Sequence, residues 1–232
     1  DQSTYTQALG ICRKYDILSK LPSKVKNHLK KGEMGLFPET PKLNDPCFKT
    51  MTNIIIGDSS DALRSMKNYF ESQDLIAKII SRKVEGEAQK YGQKLAHEII
   101  NMHALQYPAA FIASGELTVT IQGNGIGGPN QEMLAGFLHE LETNPSCYDV
   151  QSDFIIIAMA TDGKEGNSKV AGAIIDSESL QRIQKKGLSL VKALNRNNTH
   201  KIFKELNDTI KTGPTGTNVN DLFLILRLTK SL

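Results

Sequence analysis

The longest unbroken apolar stretch of the chain is Phe154-Ile-Ile-Ile-Ala-Met-Ala160. A short run that is apolar at every position is typical of a strand covered on both faces, at the centre of a sheet. Thr161-Asp-Gly163 follows at once and ends the strand with turn residues. An amphipathic helix is predicted before the strand, over residues 130–142. This arrangement predicts an α/β fold, a layered sheet that is mostly parallel or mixed and is covered by helices.

Working outward from this run, strands and helices alternate along most of the chain. The other predicted strands are 53–56, 75–80, 109–113, 117–121 and 222–228, and the other predicted helices in this part are 60–72, 86–102, 179–186 and 201–206. The first fifty residues differ, because two helices at 5–15 and 23–31 precede a connection rich in Pro and Gly. We therefore interpret residues 1–52 as the tail of a preceding N-terminal domain with its connection, and residues 53–232 as the α/β domain.

Composition excludes several classes of protein. The 232 residues carry 28 basic and 25 acidic side chains, a balance that argues against a dedicated nucleic-acid binder. A longest apolar run of seven residues is far shorter than a membrane span. Cys12, Cys47 and Cys147 are odd in number and show no metal-binding spacing, so a reducing, cytoplasmic location is expected.

The glycine loop Gly123-Asn-Gly-Ile-Gly-Gly-Pro-Asn130 lies between a predicted strand and a predicted helix. Its backbone can approach a ligand closely, and the helix N-terminus that follows favours phosphate or carboxylate. A merely flexible turn is the alternative. Positions 123, 125 and 128 also fit G-x-G-x-x-G, but a dinucleotide site needs an acidic residue at the end of the next strand. The acidic residues in that region precede the strand instead.

Two further loops and one turn carry candidate side chains. Asp162, at the end of the central strand, can hold Mg²⁺ through water or orient a hydroxyl, and an Asx-turn is its alternative. Glu116 follows Ser114-Gly115 and either serves the site or belongs to a strand-joining turn. Residues 212–221 concentrate hydroxyl and amide groups before an apolar strand, which favours a functional loop.

In this order, these segments resemble the glycerate 2-kinase family, whose C-terminal half carries the MOFRL domain. The matching segments are Asp1-Gln-Ser-Thr-Tyr5 with Ala8-Leu9, Pro38-Glu39-Thr40-Pro41, Ile54-Ile55-Ile56-Gly57 with Ala62-Leu63, Glu85-Gly86-Glu87-Ala88, Ser114-Gly115-Glu116, Gly123 to Glu132, Thr161-Asp162-Gly163, Ala171-Gly172-Ala173 and Thr212 to Leu222. The match covers nearly the whole chain, and its most specific block is Gly213-Pro-Thr-Gly-Thr-Asn-Val-Asn-Asp-Leu222.

The resemblance implies a kinase that transfers the γ-phosphoryl group of ATP to the 2-hydroxyl of D-glycerate, with ATP and Mg²⁺ as cofactors and an active site in a cleft between two domains. The MOFRL-like region would span about 110–232, and the family's N-terminal domain, with a catalytic lysine, would precede this chain. The implied site residues are Glu116 and Asp162 for catalysis, Gly125, Gly127, Gly128 and Asn130 for phosphate or nucleotide, and Thr215, Asn218 and Asn220 for substrate. The metal ligands, the metal's identity and a homodimer are left open.

One departure from the family pattern concerns charge. The family's loop usually reads Gly-Gly-Arg-Asn-Gln-Glu, whereas Pro129 stands here in place of the arginine. Proline suits a first helical position, but it cannot clamp a phosphate as an arginine does. Pro129 therefore leaves a non-catalytic relative open beside the kinase. The glycine loop separately leaves open an NAD(P)-dependent reductase of hydroxypyruvate-like 2-keto acids.

Overall fold

The computed structural model of the protein describes residues 2–101, 108–144 and 152–229. It divides into two compact units, Asp1–Ile55 and Ile56–Leu232. Cys12 and Cys47 are free thiols, and Cys147 lies outside the described residues. Within the described ranges, no helix has the length and apolar character needed to cross a membrane.

The first unit is built on the two predicted helices, which are confirmed as α1 (Tyr5–Lys14) and α2 (Ser23–Glu33). Thr4 and Gln7 close a capping box at the start of α1. The Gln7 amide donates to Thr4 Oγ1 at 3.2 Å, and the Thr4 amide donates to Gln7 Oε1 at 2.9 Å. Gly32 lets α2 lie directly against the ring of Tyr5, where a Cβ would collide. That this unit is the tail of another domain stays a prediction.

The second unit contains a six-stranded mixed sheet, as the sequence predicts. Its strands are β1 (Ile76–Glu87), β2 (Ala109–Thr118), β3 (Ser152–Ala160), β4 (Gly172–Asp176), β5 (Thr209–Ile210) and β6 (Asp221–Thr229). The spatial order is β1-β2-β6-β3-β4-β5. Only the β1–β2 pair is parallel among these strands, and β6 runs antiparallel to both β2 and β3.

Six helices accompany the sheet in the described part of this unit. They are α3 (Ser59–Glu71), α4 (Ala88–Asn101), α5 (Pro129–Thr143), α6 (Ser179–Lys185), α7 (Leu190–Asn195) and α8 (Thr199–Leu206). Side chains of β2 alternate between two apolar clusters. Phe111 packs in the cluster that includes α4 to α8, and Ile112 packs in the cluster that includes Leu63 of α3. The sheet is thus covered on both faces.

Helix α5 is the centre of the larger cluster, because nearly every residue from Asn130 to Leu141 is buried. Helix α4 packs against it at Gly92, where a Cβ would collide with the carbonyl oxygen of Met133. A buried helix of this kind has a fixed position. Its first turn can therefore serve as a rigid reference point for the loops beside it.

Several predicted elements differ from those observed. Residues 53–56 are not a strand; Ile54, Ile55 and Ile56 are 75%, 80% and 98% exposed, because no neighbouring strand in the described ranges pairs with them. The strands predicted at 109–113 and 117–121 are the single strand β2, which runs through Gly115 and is paired there with Val84 and Asp221. Strands β4 and β5 and helix α7 have no counterpart among the predicted elements.

Candidate functional site

The sheet topology brings three acidic residues to one end of the sheet. Asp221 opens β6 and pairs with Gly115 of β2 on one side and with Ala160, the last residue of β3, on the other. Glu116 is next to the first partner, and Asp162 lies two residues beyond the second. The β2 and β3 strands run in the same direction on either side of β6. Their carboxyl ends therefore meet at the start of β6, where ligands commonly bind α/β sheets.

These residues line a small cavity of about 150 Å³, which we name the carboxylate pocket. Its polar lining consists of Glu116, Asp162, Lys164, Glu165, Asn218, Asn220 and Asp221. Four of the sequence-predicted site residues thus come together, namely Glu116, Asp162, Asn218 and Asn220. Asp221 and Lys164 are additional residues that the sequence reasoning did not assign.

Asp221 is the acidic residue whose environment is most consistent with proton transfer. Burial raises its pKa to about 6; the amide side chain of Asn130 lowers it, and the negative charges of Glu116 and Asp162 raise it. Asn130 itself is fully buried, and its side-chain amide approaches the Asp221 carboxyl without reaching the geometry of a hydrogen bond within the described residues. The Ser114 hydroxyl donates to the Asp221 carbonyl oxygen at 2.9 Å and fixes the start of the strand.

Asp162 forms the Asx-turn that its sequence position allows and also lines the pocket, while its role in metal binding or catalysis stays a prediction. The amide of Lys164 donates to Asp162 Oδ1 at 3.0 Å, which is the Asx-turn. The same carboxylate lines the pocket. The turn therefore orients the side chain, and the structural role does not exclude a chemical one.

The loop before β6 is fastened to the end of β3 through Thr161. The Val219 amide donates to Thr161 Oγ1 at 2.8 Å, and this hydroxyl donates to the Asn220 carbonyl at 2.8 Å. Thr215 Oγ1 donates to the Thr161 carbonyl at 2.5 Å. Thr215 therefore holds the loop in place, whereas Asn218 and Asn220 line the pocket. A direct substrate contact by Thr215 stays a prediction.

Helix α5 begins against a carboxylate of this chain. Glu165 is 2% exposed, and it accepts hydrogen bonds from the backbone amides of Asn130 (2.7 Å) and Gln131 (3.4 Å) and from the Gln131 side-chain amide. Burial raises its pKa to about 8, although these hydrogen bonds lower it. Gly128 leaves the room that this contact requires, because a Cβ there would lie 2.8 Å from Glu165 Oε2.

The glycine loop is held by acceptors from two neighbouring segments, residues 196–198 and the loop that carries Asn167. The amides of Gly123 and of the preceding Gln122 donate to Asn197 Oδ1 at 2.9 and 2.7 Å. The Gly125 amide donates to the Arg196 carbonyl at 3.0 Å, and the Ile126 amide donates to Asn198 Oδ1 at 3.2 Å. The Gly127 amide donates to Asn167 Oδ1 at 2.9 Å. The loop is therefore bonded in place and is not a freely flexible turn. Phosphate binding by Gly125, Gly127, Gly128 and Asn130 stays a prediction, and a phosphate there would compete with the acceptors of the chain itself.

Basic side chains adjoin the carboxylate pocket. Arg82 and Lys83 of β1 line a neighbouring cavity of about 440 Å³ that also contains Glu116 and Asn220, so the two cavities share a wall. Lys83 pairs with Glu85 at 3.1 Å, whereas the Arg82 guanidinium forms no ion pair with the residues described. The sequence signal that could have found Arg82 is its place just before Glu85-Gly86-Glu87, which β1 aligns with the end of β2.

The acidic residues do not form a ready metal site. Across residues 2–101, 108–144 and 152–229, no three His, Cys, Asp or Glu side chains are arranged to hold a metal ion. Magnesium in phosphoryl-transfer enzymes is commonly held by one or two carboxylates together with substrate phosphates. Glu116 and Asp162, which line one cavity, are carboxylates of the kind that a site shared with substrate phosphates uses.

Comparison with known proteins shows which proteins this chain is similar to. Residues 109–221 match the model of the MOFRL family. The chain is 30% identical to the glycerate 2-kinase of Pyrococcus horikoshii over 99% of its own length and 51% of the relative's. The crystal structure of the glycerate kinase of Thermotoga maritima matches with a TM-score of 0.73 at 30% identity, over 97% of this chain and 51% of that one.

A relative with another name is also similar. A putative hydroxypyruvate reductase of Agrobacterium vitis is 28% identical over 97% of this chain and 49% of its own length. The chain thus spans about half the length of these relatives. The chain belongs to the glycerate 2-kinase family, and its residues 109–221 are a MOFRL family domain.

Proposed function

We propose that the whole protein transfers the γ-phosphoryl group of ATP to the 2-hydroxyl of D-glycerate in the cytoplasm. The observation that carries the proposal is the juxtaposition of Glu116, Asp162 and Asp221 in one cavity, with Arg82 and Lys83 lining its neighbour. Phosphoryl transfer is catalysed mainly by positioning and by charge stabilisation. Because the chain spans about half of its relatives' length, the activity is assigned to the complete protein.

In this mechanism Asp221 is the general base. Its carboxylate accepts the proton of the 2-hydroxyl as the hydroxyl oxygen forms a bond to the γ-phosphorus. The bond from that phosphorus to the oxygen bridging it to the β-phosphate breaks, and ADP leaves. A pKa of about 6 leaves most of Asp221 ionised at neutral pH and still basic enough to take a proton.

The remaining residues of the cavity position the reactants. Asn218 and Asn220 orient the substrate's carboxylate and hydroxyl groups, while Arg82, Lys83 and Lys164 offset the charge of the transferring group. Glu116 and Asp162 would hold Mg²⁺ together with the nucleotide phosphates, and Mg²⁺ would neutralise charge on those phosphates. The backbone amides of the glycine loop would contact the phosphates by exchanging their present acceptors within the chain for phosphate oxygens. Asn130 would contact the phosphates as well.

The test is a coupled ADP-release assay on the complete protein with D-glycerate and ATP. Asp221→Asn, Asp162→Asn and Glu116→Gln each lower turnover, whereas Glu205→Gln, an exposed carboxyl on α8, does not. Wild-type turnover in all three pocket variants would remove these residues from the mechanism. No ADP release from the wild-type protein would contradict the kinase itself.

The reductase is the second candidate, supported by the name of the Agrobacterium relative and by the Gly123, Gly125 and Gly128 spacing. Two observations weigh against it. Strand β6 separates β2 from β3, so the glycine loop does not join adjacent parallel strands as in a dinucleotide fold. Glu165 also occupies the helix start that would receive a pyrophosphate. Oxidation of NADH in the presence of hydroxypyruvate would establish this alternative over the kinase.

A further inference from the structure

A second cavity borders the glycine loop, whose backbone the mechanism above uses, but the apolar walls of this cavity have no part in that mechanism. This loop pocket has a volume of about 580 Å³, within the range of cavities that bury small ligands. Its walls are mainly apolar and include Leu117, Val119, Ile121 and the Pro129 ring, together with backbone of the glycine loop. An apolar, glycine-walled slot of this size suits a flat aromatic ring.

The loop pocket adjoins the carboxylate pocket. Leu117, Pro129 and Gly166 line both cavities. A ligand with a ring in the loop pocket and a polyanionic chain would therefore extend the chain past Pro129 toward Asp162 and Glu116. A nucleoside triphosphate has this division into an apolar base and a charged tail.

The loop pocket is formed before any ligand arrives. Asn197 Oδ1 accepts from the amides of Gln122 and Gly123, and Asn167 Oδ1 accepts from the amide of Gly127, so both walls of the loop are fixed. A preformed site loses little conformational entropy on binding. This argues for a built cavity rather than a gap between mobile loops.

Glu132 is the acidic residue at the wall of the loop pocket. Glu132 is 3% exposed, and its Oε1 accepts from Asn197 Nδ2 at 3.3 Å, while its Oε2 accepts no hydrogen bond from the described residues. Burial raises the Glu132 pKa to about 7; the Asn197 bond lowers it and the charge of Glu87 raises it. A carboxyl oxygen left available in an apolar slot can accept from the exocyclic amine of a base.

We propose that the loop pocket binds the adenine ring of the ATP phosphoryl donor, with Glu132 accepting a hydrogen bond from the 6-amino group. The inference rests on the proposed kinase function and adds the place of its nucleotide. Adenine fits the acceptor better than guanine does, because guanine presents a carbonyl oxygen at the corresponding position. NADH also carries adenosine, so the experiment compares ATP with NADH as the source of the bound adenine.

The experiment measures binding of adenosine, guanosine and inorganic tripolyphosphate to the complete protein by isothermal titration calorimetry. Ile121→Ser removes part of the apolar wall at a side chain that is 72% exposed, so the fold is retained. Ile126→Ser is the matched control, because Ile126 is in the same loop and does not line the cavity. Ile121→Ser should weaken adenosine about fivefold, from the apolar area lost, and leave tripolyphosphate unchanged.

Glu132→Gln tests the polar contact with little change in shape. It should reduce the preference for adenosine over guanosine and leave tripolyphosphate binding as in the wild type. In competition, ATP should displace adenosine at a lower concentration than NADH does, because the triphosphate chain of ATP also reaches the carboxylate pocket. The proposal is overturned if Ile126→Ser matches Ile121→Ser, if adenosine does not bind, or if NADH displaces adenosine at the same concentration as ATP or at a lower one.

Failure of the pocket and failure of the kinase are distinguishable. Phosphorylation of D-glycerate with an unchanged KM for ATP in Ile121→Ser would overturn the pocket and leave the kinase standing. Adenosine binding that responds to Ile121 and Glu132, without any phosphorylation of D-glycerate, would support the pocket and overturn the kinase.

Discussion

The carboxyl of Glu165 is the sharpest test of how the start of α5 is stabilised. Its folded-state pKa is about 8, against an ordinary value of 4.5, mainly because it is buried. Between these two values the folded chain holds a proton that the unfolded chain has released. Stability therefore falls as pH rises through this window, by up to about 1.4 kcal/mol per pH unit. From pH 5.5 to 7.5, Glu165 alone should lower the free energy of unfolding by about 2–3 kcal/mol.

Replacing this carboxyl by an amide removes the titration and retains the size. Glu165→Gln should be less stable than the wild type at pH 5.5, by about 1–3 kcal/mol, because an amide cannot fully satisfy the donors of Asn130 and Gln131. The deficit should shrink by pH 7.5, since the wild type loses its proton-linked stability and the variant does not. Glu132 and Asp221 titrate in both proteins, so the difference between the two curves isolates Glu165.

Urea unfolding followed by circular dichroism at pH 5.5, 6.5 and 7.5 measures the effect. Glu205→Gln serves as the control, because this exposed carboxyl should leave the pH dependence parallel to that of the wild type. The reasoning is refuted if the deficit of Glu165→Gln grows with pH. That result would mean that Glu165 is ionised in the folded protein and acts as a permanent anionic cap of α5.

Three further predictions concern activity and packing. The pKa of Asp221, about 6, should set the acidic limb of the pH profile of kcat/KM. Glu116→Gln should move this limb to lower pH, because it removes a negative charge that raises the Asp221 pKa. An unmoved limb would count against Asp221 as the base. Pro129→Arg should raise kcat in the ADP-release assay if charge at the loop limits the rate. An unchanged kcat would show that the charge is supplied elsewhere in the site, and no turnover in either protein would favour the non-catalytic relative. Gly92→Ala should lower the urea midpoint strongly, since its methyl group meets the Met133 carbonyl; a wild-type midpoint would show that α4 and α5 can separate at low cost.

The predictable part of the fold is the part in which local pattern and tertiary contact agree. Residues 154–160 form β3, and the proline at position 129 marks the first turn of α5. The strand predicted at 53–56 failed because β-branched residues favour a strand only where a partner strand supplies hydrogen bonds. Gly115 was taken for a turn, although the close approach of Val84 explains why glycine stands in the middle of β2.

Four residues of the candidate site were predictable from the sequence, but their arrangement around Asp221 was not. Glu116, Asp162, Asn218 and Asn220 were found from loop composition and from the family resemblance, and they do share a cavity. Asp221 was missed as an individual residue because its importance depends on register, namely its pairing with Gly115 and Ala160. Pairing between segments more than fifty residues apart leaves no local pattern in a single sequence.

The occupied start of α5 changes what the loss of arginine at position 129 means. A free helix N-terminus attracts phosphate, but here the carboxyl of Glu165 already accepts its amides. When that carboxyl is ionised it repels a second anion, and when it is protonated it leaves only the helix dipole. Compensation for the transferred phosphoryl charge must then come from side chains beyond the loop. Lys164 lines the carboxylate pocket with Glu116 and Asp162, and Arg82 lines the neighbouring cavity with Glu116, so the site depends less on the loop than its glycines indicate.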